Sequence, residues 1–257
     1  MPVDPAARRT GPGRGTPSIA VSDPLVTDVR IPLSAAALAW LVGWLAGNIL
    51  GSAVLSISGH ANTDAVDRPV WLTVSMALAL WAPQLGALYV VSKRFGSGNP
   101  TRDLGLRFRP IDLLGIPIGI ASQVLLLRAL YWPLKTVWPG TFADKRLEQN
   151  ARDLYDSASG AWIVVLVLAI VVVAPFVEEL VYRGLLQGAM RREVPDIVAV
   201  VVVAAFFALI HFRAIEYPGL FAFGLVLGTC AWLTDRLGMG IAAHVAFNAT
   251  AVVLVAR

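Results

Sequence analysis

Long apolar runs, separated by short basic, polar or Gly- and Pro-rich segments, set the pattern of the chain. Residues 1–30 carry no apolar periodicity and are rich in Pro, Gly and Arg, which predicts a disordered tail. The first run, Pro32 to Ile57, places Gly43, Gly47 and Gly51 four residues apart, a smooth strip for close helix packing. Ser58 to Pro69 ends it, with His60 expected as an exposed loop residue. Val70 to Ser92 is the second run, with Trp71 near one end, Pro83 inside it and Lys93 and Arg94 as a positive stop. The third, Ile111 to Trp132, contains Gln123 and also Arg128, which is close enough to the run's end to snorkel. Between Pro133 and Gly160 the chain turns polar. There Leu147, Ala151, Leu154 and Tyr155 follow an i, i+4, i+7, i+8 pattern, which predicts a short amphipathic helix on the membrane surface or over a cavity mouth. A long helix from Ala161 and runs at Ile197–Phe212, Pro218–Leu233 and Gly238–Val255 complete the pattern. The fold class expected is an all-α, polytopic membrane helix bundle over residues 31–257, with about seven transmembrane helices (roughly six to eight).

Composition sharpens this picture in three ways. A hydrophobic fraction of 57%, 15% charged residues and a mean hydropathy of +0.69 exclude an ordinary soluble domain. The net charge of +4 sits in loops between apolar runs rather than on one polar face, so the partners implied are membrane lipids and no nucleic acid. With its start placed inside the cell, the chain puts Lys93, Arg94, Arg102, Arg107, Arg109, Arg183, Arg191, Arg192 and Arg236 on the inner side with the arginines of the tail. The outer side receives Arg68, Lys135, Lys145, Arg146, Arg152, Arg213 and Arg257, and the bias favours a cytoplasmic N-terminus in a multi-pass protein of the cell membrane. A single cysteine, Cys230, excludes an intramolecular disulfide and reads as a packing residue.

The candidate chemistry is concentrated after Ala161. Ionisable side chains at membrane depth are costly and mark a site by default. Glu179 and Arg183 are spaced i, i+4 and can pair, whereas Glu178 is rotated about 100° away and stays unneutralised. Pro175 removes a backbone donor just before them and suits a locally opened helix. Phe207 with His211, and His244 with Asn248, repeat the four-residue spacing on later runs. At 1.5 Å per residue, a turn near Arg191 to Pro195 lies about 20 Å beyond Glu178 and about 24 Å before His211, so the two reach similar depth on adjacent antiparallel helices. Gly224 and Gly228 allow close approach of the helix between His211 and His244.

The three motifs in order, Glu-Glu-x-x-x-Arg, Phe-x-x-x-His and His-x-x-x-Asn, resemble the CAAX-type prenyl endopeptidase and bacteriocin-processing (CPBP, or Abi) family of intramembrane proteases over about residues 161–252. The resemblance implies that Glu178 is the general base and that Glu179 and Arg183 form a supporting ion pair. It makes His211 a partner in activating water, and His244 and Asn248 further site groups. The implied activity is hydrolysis of a peptide bond in a membrane-associated peptide or protein, prenylated or bacteriocin-like. General chemistry agrees: a carboxylate kept from bulk water is a stronger base, and an imidazolium or amide stabilises an oxyanion. No cofactor is required by this version. The alternative is Zn held by His211, His244 and Glu178 with an open position, although the sequence lacks His-Glu-x-x-His. Two other function classes remain open at this point. One is a non-hydrolytic membrane protein that binds a partner or confers immunity; the other is a proton-coupled transporter using the same carboxylates as a relay.

Overall fold

The computed structural model describes residues 31–64 and 67–256, so the expected N-terminal tail lies outside the described residues. Eight main helices carry the fold: α1 (Leu33–Ile57), α2 (Val70–Phe95), α3 (Pro110–Val137), α4 (Asp144–Asp156), α5 (Ala161–Met190), α6 (Asp196–Leu209), α7 (Tyr217–Thr234) and α8 (Gly238–Val255). Among the described residues there is no strand, and six helices are long and apolar enough to cross a membrane. The chain is an all-α, multi-pass membrane protein.

The seventh expected span is the exception. α6 has 14 residues, a rise of about 21 Å against about 30 Å of hydrocarbon. It nevertheless traverses the bundle antiparallel to α7, with Ala204 against Gly224 and Val200 against Gly228. Because α6 stops short, the segment after it begins where a full-length span would still be helical. Irregular backbone is tolerated there only when it is enclosed by protein or lines a wet cavity.

Contacts between connections show that passes alternate between two ends. At one end the Leu237 N–H donates to the Gly105 carbonyl at 2.9 Å, Arg191 pairs with Asp235 at 3.0 Å, and Arg192 donates to the Ile31 carbonyl at the start of α1. The basic loops that the sequence assigns to the side of the N-terminus therefore share that end. At the other, the Tyr131 hydroxyl reaches the connection after α6, and α4 meets the end of α8 through Arg152 and the Val255 carbonyl. α4 is the predicted amphipathic helix, and its Leu154 packs with Val70, Ala158 and Leu166. His60 is half-buried rather than exposed: its Nδ1 lies 2.8 Å from the Ser58 carbonyl and its ring meets Trp71 edge-on.

Small residues set the helix spacing. A Cβ at Gly43 would come within 2.9 Å of the Gln84 backbone and one at Gly47 within 2.8 Å of the Leu80 carbonyl, whereas Gly51 faces open space. Two of the three glycines in the α1 strip are thus contact points on α2. The closest approach is between α3 and α8, where Gly115 lies against Met239 and Gly119 against Ala243. A Cβ at Gly119 would fall 2.0 Å from the Ala243 carbonyl oxygen, next to His244. Gly119→Ala is therefore expected to displace α8, cost about 1–3 kcal/mol of stability and reduce activity with it. Thermal unfolding in detergent checks this, with Gly51→Ala as the unaffected comparison.

α7 and α8 form the centre. Within their most apolar stretches 39% and 33% of residues are buried, against 17% for α1, α2 and α3, whose Leu and Val side chains face outward as lipid-facing surfaces do. Asp112 at the start of α3, 1% exposed, receives a two-pronged hydrogen bond from Arg236 (2.7–3.0 Å) and so fixes α3 to the α7–α8 connection.

Candidate active site

The site begins with an irregularity in α5. Pro175 lacks an N–H and crowds the preceding turn, and the helix widens to π geometry over Ala169–Val173. In a π turn the Ile170 carbonyl would take its hydrogen from residue 175, which has none. Asn248 of α8 supplies it instead, its amide donating to the Ile170 oxygen at 2.8 Å. The opened helix expected at Pro175 is thus a π widening sealed by Asn248. A second π stretch, Glu179–Gln187, starts immediately beyond Glu178.

Glu179 and Arg183 pair as the spacing predicts, at 3.2 Å, and both side chains are 0% exposed. Arg183 also donates to the Gly224 carbonyl at 3.2 Å and lies 4.5 Å from the centre of the Phe207 ring. One turn on, Gln187 donates to the Gly228 carbonyl at 2.8 Å. Gly224 and Gly228 therefore do more than permit close packing against α6, because their carbonyls receive Arg183 and Gln187. Gln187 was missed in the sequence. Its signal was there: Glu179, Arg183 and Gln187 continue one four-residue spacing that matches the two glycines.

His244 lies between the two glutamates. Its Nδ1 donates to Glu179 Oε1 at 3.0 Å, and its Nε2 is 3.7 Å from Glu178 Oε2, too long for a direct hydrogen bond. Glu178 retains 25% side-chain exposure, whereas Glu179 has none, so the pair is divided as the helical rotation predicts. The ring of Phe223 packs edge-on to His244, and Phe207 contacts both His244 and His211.

His211 lies just past the end of α6. Its Nδ1 donates to the Phe207 carbonyl at 2.6 Å; a carbonyl can only accept, so Nδ1 carries a ring proton. The next residue, Phe212, adopts a left-handed conformation (φ 53°) that is costly for an aromatic residue, and this stops the helix at His211. Glu216 in the same connection pairs with Arg213 at 2.9 Å; burial pushes its carboxyl up, opposed by Arg213 and His211. The sequence reading missed Glu216, and also Tyr131, whose hydroxyl donates to the Ile215 carbonyl and accepts from the Gly219 N–H. Tyr131→Phe is expected to loosen residues 210–216 at a cost of about 1–3 kcal/mol, seen as faster amide hydrogen exchange in that segment.

The structure thus brings Glu178, Glu179, Arg183 and His244 together, joins His211 to them through Phe207, and uses Asn248 to lock α8 onto α5. It does not gather the proposed zinc ligands. Among the described residues no three His, Cys, Asp or Glu side chains converge closely enough to hold a metal ion, so His211, His244 and Glu178 do not form a ligand set here. No step is derived through a metal.

Residues 160–250, which hold every one of these side chains except Tyr131, match a family model described as type II CAAX prenyl endopeptidase Rce1-like. Over this segment the chain is similar to the CAAX endopeptidase family. No curated protein and no solved structure matches the chain. The matched segment covers α5 to α8, whereas α1 to α4 lie outside the match. Those first helices still bear on the site: α3 holds α8 in place through Gly119, and Tyr131 of α3 pins the connection that carries His211.

Proposed function

We propose that the protein is an intramembrane endopeptidase in which Glu178 is the general base. The observation that carries this reading is the division of labour within one glutamate pair. Glu179 is fully buried, held by Arg183 and committed to orienting His244, while Glu178 is partly exposed and lies one water's reach from the same imidazole. A water placed beside Glu178 gives up a proton to the carboxylate as its oxygen attacks the peptide carbonyl carbon. His211, with its proton fixed on Nδ1, offers Nε2 as an acceptor that orients the water's other hydrogen. His244, protonated, stabilises the oxyanion. Glu178 then returns its proton to the leaving amine as the C–N bond breaks.

The substrate proposed is a membrane-anchored peptide or protein, in keeping with the family description, cut close to a prenylated residue. Zinc is no part of this proposal, since among the described residues no three His, Cys, Asp or Glu side chains converge to hold it. The test uses purified full-length chain in lipid vesicles with prenylated and unprenylated peptides. Mass spectrometry should show a defined cut with the unaltered chain and none with Glu178→Gln. Equal cleavage by both would overturn the proposal.

A further inference from the structure

A polar cavity lies at the basic end of the bundle, reached by Arg183 and Gln187 of α5. Its volume is about 320 Å³, and six arginines but only three aspartates line it. The rim is formed by Arg102 and Arg107 from the α2–α3 connection, Arg191 at the end of α5 and Arg236 between α7 and α8; the floor is Arg183 and Gln187. Glu178, His211 and His244 are not among its walls.

The arginines differ in how far they are used. Arg236 is committed to Asp112 and the Thr234 carbonyl. Arg191 pairs with Asp196 at 2.7 Å and Asp235 at 3.0 Å. Asp103, the third aspartate, accepts from Ser92 and the Ser97 N–H; burial would raise its carboxyl, but these hydrogen bonds hold it below the usual carboxylate range. The exposed Arg107 makes one 3.3 Å contact to the Asp235 carbonyl, and Arg102 is exposed beside it. The floor supplies an independent sign of a missing ligand. Arg183 is 3% exposed, yet its Nε has no hydrogen-bond partner. A buried guanidinium N–H without a partner is costly.

We infer that this cavity binds a phosphate group, specifically the phosphodiester headgroup of an anionic phospholipid. Excess positive charge, arginine forks that match phosphate oxygens and the unpartnered Arg183 Nε–H on the floor all call for an anion. Its position selects a lipid source. Its lining comes from the ends of α5 and α7 and the connections beside them, at the end that carries the basic loops, and basic pockets between helices at that level face anionic headgroups. The inference is tested independently of the proposed protease activity, because the substitutions that test it, at Arg102 and Arg107, lie on the rim and not at the Glu179–Arg183 pair.

Native mass spectrometry of the detergent-solubilised full chain, offered phosphatidylglycerol and phosphatidylcholine in equal amounts, tests it. Phosphatidylglycerol should be retained at least tenfold better. Removal of one rim arginine in Arg102→Gln should weaken this about fivefold, and Arg102→Gln with Arg107→Gln roughly 25-fold. Arg146→Gln at the opposite end should change nothing. If excess inorganic phosphate displaces the lipid, the phosphate group alone is the ligand and the site stands with a soluble occupant; if it does not, the lipid is the occupant. Equal retention of the two lipids, or full phosphatidylglycerol binding by a folded Arg102→Gln chain, would overturn it.

Discussion

Glu178→Gln is expected to lower cleavage by about 10²–10⁴-fold, the contribution of a positioned general base, while leaving insertion and folding unchanged. The substitution is nearly isosteric, and the side chain it alters is 25% exposed and makes no ion pair closer than 3.7 Å. Stability should therefore stay within about 0.5 kcal/mol of the unaltered chain, as for a surface change. That combination, lost turnover in an intact membrane protein, is what distinguishes a base from a structural carboxylate. A chain that binds or shields a partner without hydrolysis would keep its effect in cells after this change. A proton-coupled transporter would show proton-linked flux in vesicles and no peptide products. Unimpaired cleavage by Glu178→Gln would remove Glu178 from the mechanism and return the assignment to the other half-exposed groups near His211.

How much of this site was legible beforehand depended on which part of the geometry sequence spacing encodes. Spacing along one helix encodes rotation, so the pairing of Glu179 with Arg183 and the freedom of Glu178 could both be read from three residues. Depth could be estimated for His211, because a rise of 1.5 Å per residue carries across a tight turn. It was not legible for His244, whose position depends on where α8 starts; that start is fixed by Asp112, more than 100 residues away, gripping Arg236 beside Gly238. As a result the histidine expected beside Glu178 was His211, while the one 3.7 Å from it is His244. Asn248 also differs from expectation, since a π turn at Ile170 and a proline at 175 together create the acceptor it fills. The run Ile197–Phe212 read as a full span because hydropathy cannot see that Phe212 turns left-handed and ends α6 early. Each of these shortfalls is a tertiary fact imposed on a local pattern.

Arg183→Met should be the most destabilising single change in the bundle. Arg183 and Glu179 are both fully buried, and removal of one partner from such a pair costs about 3–5 kcal/mol because a charge is left behind without compensation. Here the residual charge would be Glu179, whose Oε2 already lacks a hydrogen-bond partner and whose remaining neighbour is His244. Loss of the arginine also frees the Gly224 carbonyl and removes the cation above Phe207, loosening the contact of α5 with α6 and α7. Glu179→Gln likewise leaves a buried charge, that of Arg183, without its counter-ion, but the Gly224 carbonyl and the Phe207 ring still hold the guanidinium, so the loss should be smaller. The substitution should still damage rate, because His244 would lose the acceptor that orients its Nδ1 proton. Combining the two substitutions separates charge from packing. If the pair matters through its buried charges, Glu179→Gln in the Arg183→Met background should recover part of the lost stability, with a coupling of about 0.5–3 kcal/mol in unfolding from mixed micelles. Strict additivity would instead mean that Arg183 acts through Gly224 and Phe207 alone. Glu179 would then hold His244 without help from the guanidinium, and the division between a supporting and a reacting glutamate would rest on His244.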